Sequence, residues 1–569
     1  MDARKYNIYF HTHTISGIII AALLYVIFFA GSFSFFKDEI IAWQTGASTV
    51  ARKPAPEYNF VIDSLSRHYN LRGRNLDFYT FRQGNGTYVN MSASMDSTIS
   101  KPKKEQAGRR RGRGRRGGDG DSAYFSHYFS DKKTGSYADN YTMGEFLYRL
   151  HFLAQLNQVP LPVNLGTPFG YLLAGIVSFL FLFALITGLF LHWDKMVSNF
   201  FIFRPWSKWK TVWTDMHTAL GVIGFPFQLV FAVTGVILIV NFVLLGPFGK
   251  VLFDGDTDKV YEELQYNRGL KVEYTYSPLE VSGFDLDKFV QEWQGKWGSN
   301  PVTRIHILNY LDQSMQVALE SKADPKLNFA GSGFVLVEAA TGKVLREKSP
   351  FTGTNYIDRV KSLVYHLHFG DFGGTPMRIV FFILGLMGCV VILSGIMIWL
   401  VARDKVSVPK HKRVFNFWAS NFFMAACLSM LPVTAFTFIM LKAAKAVDQS
   451  LIYNVYFYSW LVLAVYLMLW RNLPLMNKQV LLLSVFLCAA VPLANGIATG
   501  LWMWNTWKDG AVDIFLIDTL FVLLAVTSAF AYVKVSRQAK PFNMLGKENV
   551  TPSERPGRPQ QVTRRLKTS

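Results

Sequence analysis

Four histidines occupy two repeated settings. His13 opens the apolar run Ile15–Phe36 within His13-Thr-Ile-Ser-Gly17, and His217 opens the run Leu220–Leu245 within His217-Thr-Ala-Leu-Gly221. A second glycine follows each histidine by 18 residues, at Gly31 and Gly235. His151, in Tyr148-Arg-Leu-His151-Phe152, and His368, in Tyr365-His-Leu-His368-Phe369, each precede the next apolar run. Neutral imidazole is a metal ligand that needs no proton removed at pH 7, which suits a low-dielectric site. Two imidazoles facing each other across a helical bundle are what a bis-His haem requires. The expected pairs are His13 with His217 at one depth and His151 with His368 at the other. Two haems stacked this way would carry single electrons through the membrane. Met and Cys ligands are not offered at matching places.

The competing reading makes each histidine an interfacial residue that hydrogen-bonds water or headgroups. Four of them at duplicated positions favour a shared role, although inheritance alone could also preserve them. The other histidines weigh less. His11 and His366 lie two residues from His13 and His368, so they face other sides of their helices. His192 ends the second run, where its repeat-mate is Trp399, and is a weaker third candidate at that level. His68, His127 and His306 are expected at the surface of external segments, and His411 lies in a basic loop. None of the 11 histidines follows His411.

The elements that position these residues are membrane spans. Half of the 569 residues are hydrophobic, and they gather in runs long enough for a hydrocarbon core of about 30 Å. Eight are expected: the two above, Tyr171–Leu191, Met377–Val401, Phe415–Leu441, Val455–Trp470, Val480–Leu501 and Ile514–Val533. Lys and Arg cluster in the short loops, including Lys195, Arg204, Lys208, Arg403, Lys405, Lys412 and Arg471. The positive-inside rule then puts these loops and both termini in the cytoplasm, and both long loops in the periplasm. The first run is too long for a signal-peptide core and reads as a retained anchor. Cys389, Cys427 and Cys488 all fall within spans, so no disulfide framework is expected. The net charge of +20 comes partly from these loops and partly from Lys101–Gly118 and the tail after Lys540. The run RRRGRGRR reads as a solvated low-complexity insert in an external loop and not as a nucleic-acid site.

The two long loops resemble each other. The second suggests a helix over Leu286–Trp297 and strands over Arg304–Asn309, Met315–Ser321, Gly333–Glu338 and Val344–Glu347. The first suggests a helix over Tyr58–Tyr69 and strands over Leu76–Phe81, Tyr88–Ala93 and Tyr124–Ser130. Each has a Thr-Gly turn, at Lys133–Ser136 and Ala340–Lys343, where glycine supplies positive φ. The spans repeat as well: Thr167-Pro168 and Thr375-Pro376 precede spans two and four, which end on Thr187-Gly188 and Ser394-Gly395. Residues 1–200 and 201–405 therefore read as a tandem duplication in one orientation.

The expected fold is an α-helical integral membrane protein with about eight transmembrane helices, a duplicated two-span unit and two small external α+β domains. Its expected parts are 1–36 (first span), 37–166 (external domain with insert 101–118), 167–192 (second span), 193–214 (cytoplasmic loop) and 215–246 (third span). Then come 247–375 (second external domain), 376–402 (fourth span), 403–414 (loop), 415–534 (four further spans) and 535–569 (a disordered basic tail).

From Lys5 to about Arg403 these features resemble the PepSY-associated transmembrane proteins, bacterial inner-membrane proteins often linked to iron uptake and similar to siderophore-iron reductases. The resemblance rests on the two His-x-x-x-Gly spans, the strand–Thr-Gly–strand hairpins and Leu367-His-Phe-Gly370. It implies a haem b protein carrying electrons to a ferric siderophore or other Fe(III) chelate in the periplasm. His13, His151, His217 and His368 would be the ligands. The chain departs from that pattern in its Arg-rich insert, its His11-Thr-His13 and its four extra spans.

No GxGxxG follows a strand, no P-loop is present, and the cytoplasmic loops are too short for a flavin or nicotinamide domain. Membrane quinol or a separate cytoplasmic reductase would have to supply the electrons. Two other readings stay open: a non-redox iron-chelate permease or scaffold, and a peptidase-modulating protein. No HExxH or GxSxG supports a protease.

Overall fold

The computed structural model describes residues 2–538 apart from 49–55, 82–83, 100–121, 130–131, 160–167, 205, 257–258, 260–269, 271, 280–283, 327–328, 353, 355 and 406. The Arg-rich insert and the C-terminal tail lie outside the described residues.

The first repeat starts with α1 (Ala3–Ser34), α2 (Lys37–Thr45) and α3 (Tyr58–Ser66). Strands β1 (Leu76–Thr80), β2 (Gly86–Met91), β3 (Ala123–Tyr128) and β4 (Lys133–Ser136) follow. It closes with α4 (Met143–His151), α5 (Phe169–His192) and α6 (Met196–Phe201). The second repeat has α7 (Trp209–Leu252), α8 (Leu286–Trp297), β5 (Val302–Leu308), β6 (Gln316–Lys322), β7 (Ser332–Glu338), β8 (Val344–Lys348), α9 (Tyr356–Phe369) and α10 (Gly374–Arg403). Beyond it come α11 (Lys410–Leu428), α12 (Met430–Ala443), α13 (Gln449–Leu469), α14 (Leu473–Thr499), α15 (Met503–Lys508) and α16 (Val512–Gln538).

Eight helical segments among the described residues are long and apolar enough to cross a membrane. Four of them form a closed ring in which α1 and α7 each pack on both α5 and α10. Helices α1 and α7 therefore stand on opposite corners, which is where the duplication puts His13 and His217. Small residues permit the close approach of α10 to α1: a Cβ on Gly388 would lie 2.5 Å from Phe28.

The two units between the spans of each repeat supply four strands each, and the strands join in one antiparallel sheet of order β4-β3-β2-β1-β5-β6-β7-β8. The seam between repeats is β1 against β5, with Leu76 opposite Ile307 and Asp77 opposite His306. Alternation sorts the two faces. Leu76, Phe78, Ile305 and Ile307 point into a core shared with Trp293 and Trp297 of α8 and Tyr58 of α3. Truncating fully buried Phe78 to Ala is worth about 3–5 kcal/mol. The opposite face carries Asp77, Tyr79, Arg304, His306 and Glu320, and it looks toward α4 and α9. Tyr88 reaches Glu145 of α4 from that face at 3.1 Å. Lys322 lies 5.1 Å from the ring centre of Tyr365 on α9.

Two expectations need correction. Lys133–Ser136 is not a turn but strand β4, with Gly135 paired to Ser126. The left-handed residue of that connection is Lys132, at φ 48°. The ladder with β3 overrides a local turn signal. At Ala340–Lys343 the turn does form, with Gly342 at φ 71°. His127 and His306 are not at the surface: they are 0% and 4% exposed, His127 under the rings of Phe60 and Phe129, and His306 in the seam between Asp77 and Glu320.

The four remaining spans pack against α2 and α4. The helix of the span over Lys410–Ala443 is interrupted at Ser429, between α11 and α12. Phe146 of α4 meets Tyr456 of α13 with ring centres 4.7 Å apart. Trp43 of α2 donates through Nε1 to Asp518 of α16 at 2.7 Å, and Asn495 of α14 donates to the other carboxylate oxygen at 3.1 Å. Lys442 of α12 donates to the carbonyl of Trp43. This buried polar knot satisfies a carboxylate that would otherwise be costly inside a bundle.

Candidate functional site

The ring of four spans holds two pairs of imidazoles. His13 on α1 and His217 on α7 face each other with ring centres 6.0 Å apart and planes at 68°. Each ring is held by the helix beside it. His13 Nδ1 meets the carbonyl of Ala184 on α5 at 2.9 Å, and His217 Nδ1 meets the carbonyl of Val391 on α10 at 2.9 Å. The Thr-Gly and Ser-Gly signatures explain these seats. A Cβ on Gly188 or Gly395 would press on the imidazole, at 3.1 and 3.0 Å from Cε1. Thr187 and Ser394 turn their hydroxyls inward, donating to Ala184 at 3.0 Å and to Val391 at 2.9 Å. A carbonyl has two lone pairs, so each also accepts from its histidine.

The sheet-side pair is built from the same parts. His151, at the end of α4, and His368, near the end of α9, have ring centres 5.9 Å apart and planes at 38°. His151 Nδ1 meets the carbonyl of Ile27 on α1 at 2.8 Å. His368 Nδ1 meets Thr234 Oγ1 on α7 at 2.8 Å. The Thr234 hydroxyl donates to Val230 at 2.5 Å, so toward His368 it is the acceptor. His151 lies against Gly31, and His368 stands 4.0 Å from the Cβ position of Gly235. The glycine 18 residues after each first-span histidine is thus the seat of the other level's imidazole. Eighteen residues of helix span about 27 Å, which separates the two levels by most of a bilayer core.

All four rings are half-buried. In all four, Nδ1 makes the hydrogen bond, which fixes Nδ1–H and leaves the Nε2 lone pair for a metal. Two imidazoles sharing one metal at about 2 Å per bond place their ring centres about 6 Å apart. The spacings of 6.0 and 5.9 Å match that requirement. Space exists beside the inner pair, since Cβ atoms on Gly17 and Gly221, one turn from His13 and His217, would meet nothing within 4 Å. Among the described residues no group of three or more His, Cys, Asp or Glu side chains could hold a bare metal ion. Two imidazoles per level would instead hold an iron whose remaining ligands a porphyrin supplies. The ring spacing at both levels, and the open space beside the inner pair, are what haem would need.

Of the weaker candidates, His192 stands close enough to His13 and His217 for their charges to interact, while His11 and His366 belong to neither pair. His11 is exposed and stacks edge-on against Phe10. His192 bonds Asn199 at 3.3 Å through Nδ1. His366 is buried and bonds Asp371 at 2.7 Å, which ties the end of α9 to the segment leading into α10. It braces the segment that carries His368.

Two charged clusters frame the sheet-side pair. Glu145 of α4 accepts from Tyr137 at 2.6 Å and from Arg149 at 3.0 Å, and pairs with Lys37 of α2 at 2.5 Å. Burial alone would raise its pKa, but Lys37 and Arg149 outweigh it and hold the carboxyl at about 2. This fixes α4, and with it His151. The second cluster lies on the seam: His306 bonds Asp77 at 2.6 Å through Nδ1 and Glu320 at 3.0 Å through Nε2. Burial pulls the imidazole's pKa down, but the two carboxylates push it above its ordinary value. Sequence reasoning missed this cluster. Its only local signal is the charged residues inside otherwise apolar strands, Asp77, Arg304 and Glu320.

The family model for the PepSY-associated TM region matches residues 10–402. No curated protein matches the chain. The matched stretch contains all four paired imidazoles, both sets of seating glycines and the whole sheet, and it ends at the last turn of α10. The chain belongs to the PepSY-associated TM family, as a multi-pass membrane protein that carries four further spans after the matched region.

Proposed function

We propose that this protein carries single electrons across a bacterial inner membrane to a ferric siderophore or similar Fe(III) chelate on the sheet side, using two haems b. The observation that supports this reading is the pair of imidazole levels, at 6.0 and 5.9 Å, each with Nδ1 tied back to the scaffold. Haem bound there supplies a one-electron redox centre near each face of the membrane.

The chain's own residues do the rest. His13 and His217 would hold the inner haem, and His151 and His368 the outer one. The carbonyls of Ala184, Val391 and Ile27 and the hydroxyl of Thr234 orient the rings and raise their basicity. The sheet face bearing Asp77, Tyr79, Arg304, His306 and Glu320 looks onto the helices that carry the outer pair, so a chelate docked there lies next to the exit of the wire. Reduction of its Fe(III) to Fe(II) weakens binding by oxygen-rich chelators and frees the metal. The electron comes from membrane quinol or a separate reductase on the side where Lys and Arg cluster.

The test is the absorption spectrum of the purified chain, followed by reduction in sealed vesicles with a ferric chelate on the sheet side only. A bis-His haem b spectrum reducible by dithionite, with Fe(II) appearing when donor is added on the opposite side, is the expected result. A colourless, folded protein would favour the permease or scaffold reading.

A further inference from the structure

The basic end of the core meets the four further spans at a cleft. It lies between the last turn of α10 and the first turns of α11, has a volume of about 550 Å³, and is lined by Arg403, Val408, His411, Lys412, Phe415 and Asn416. Three of the six lining side chains are basic, and none is acidic. The nearest carboxylate, Asp404, is taken by Arg413 at 2.9 Å. Among the described residues, Arg403, His411 and Lys412 are paired with no carboxylate. Arg403 instead lies over the Trp399 ring, 5.1 Å from its centre. The walls are apolar: Phe415 is 70% exposed, and Val408 stands beside it.

Span ends lie where headgroups lie. Unpaired cations at that depth attract anionic lipid, and basic pockets between spans bind phosphate-bearing headgroups. The exposed phenyl ring of Phe415 is placed to cover an acyl chain, and cations that have no carboxylate partner among the described residues are placed to hold a phosphodiester.

We infer that this cleft binds the headgroup of one anionic phospholipid, at the joint between the family core and the four-span extension. Arg403 and Lys412 would hold the phosphate, and Phe415 would pack on the glycerol and upper acyl chain. The lipid would bridge α10, whose Val391 and Gly395 seat His217, to α11.

Native mass spectrometry of the full chain tests this, with added palmitoyl-oleoyl phosphatidylglycerol, the matching phosphatidylcholine, or inorganic phosphate. The expected result is one retained phosphatidylglycerol that the other two do not displace. An Arg403→Gln/Lys412→Gln variant should weaken its binding by roughly 30-fold. A Lys195→Gln/Lys208→Gln control, of equal charge loss on the same face, should leave it intact. Equal loss in both variants would reduce the effect to general surface attraction and overturn the site. Displacement by inorganic phosphate would overturn the lipid assignment. The wild-type comparison of the two lipids needs no variant to fold, and equal retention of both would also overturn it.

Discussion

The imidazole of His151 lies directly on Gly31, so close that a Cβ at that glycine would stand 2.5 Å from Nδ1. His151 is on α4 and Gly31 is near the end of α1, so this contact sets how far the sheet-side ligand reaches into the ring of spans.

Gly31→Ala should therefore displace His151 and leave the inner pair untouched. Crowding of this kind costs about 1–3 kcal/mol. Haem content should fall from two toward one, with the loss confined to the outer centre in a redox titration. Gly295→Ala is the control: it lies in α8 with nothing within 4 Å of the new Cβ. It should leave both centres unchanged and stabilise the protein by about 0.5–1 kcal/mol.

Thr234 supplies the one acceptor of the four that is not a backbone carbonyl, at 2.8 Å from His368. Thr234→Val keeps the shape and removes the acceptor. Loss of such a partner weakens metal affinity by about 10–100-fold. Potentiometry should show the outer midpoint shifted and the inner one unmoved, with Thr234→Ser restoring the original value.

Glu145→Gln leaves Lys37 and Arg149, both half-buried, beside a neutral group. Breaking a buried ion pair on one side costs about 3–5 kcal/mol. The thermal midpoint should drop, and hydrogen exchange should rise in α4 before it rises in α1 or α7.

His306 gives the sheet a pH dependence with a defined sign. Its folded pKa lies above the ordinary 6.5, so its contribution to stability is full below 6.5 and fades as pH rises through the folded value. Asp77 behaves oppositely. Burial raises its pKa, but the His306 contact outweighs this and depresses it below 3.8, so its contribution is full above 3.8 and fades as pH falls through the folded value. Protection of β1 and β5 amides should thus be greatest between these limits. His306→Gln should flatten the loss on the alkaline side; an unchanged alkaline limb would remove His306 as its cause.

Much of this was legible in the chain. Apolar runs gave the spans because length and composition suffice. The repeated His and Gly positions predicted the pairing of the imidazoles, because a duplicated helix preserves depth. The reason for Thr187-Gly188 and Ser394-Gly395 was not legible: a glycine's role as a seat depends on which helix packs there. Nor was the seam, since Asp77 and His306 lie 229 positions apart and no local pattern encodes their register. The same blindness made buried His127 and His306 look like surface residues. The Lys133–Ser136 segment misled because Thr-Gly is a turn signal locally, while β3 offers it a ladder. The tie from Trp43 to Asp518 joins two parts of the chain 475 positions apart, so the docking of the last four spans onto α2 could not be foreseen.

The most direct test counts haem per chain in the purified protein and in two variants, His217→Ala and His368→Ala. Two haems b in the wild type and one in each variant, each variant retaining a different midpoint potential, is the predicted result. No haem in a folded wild-type chain, or unchanged content in both variants, would contradict the assignment of the paired imidazoles as ligands.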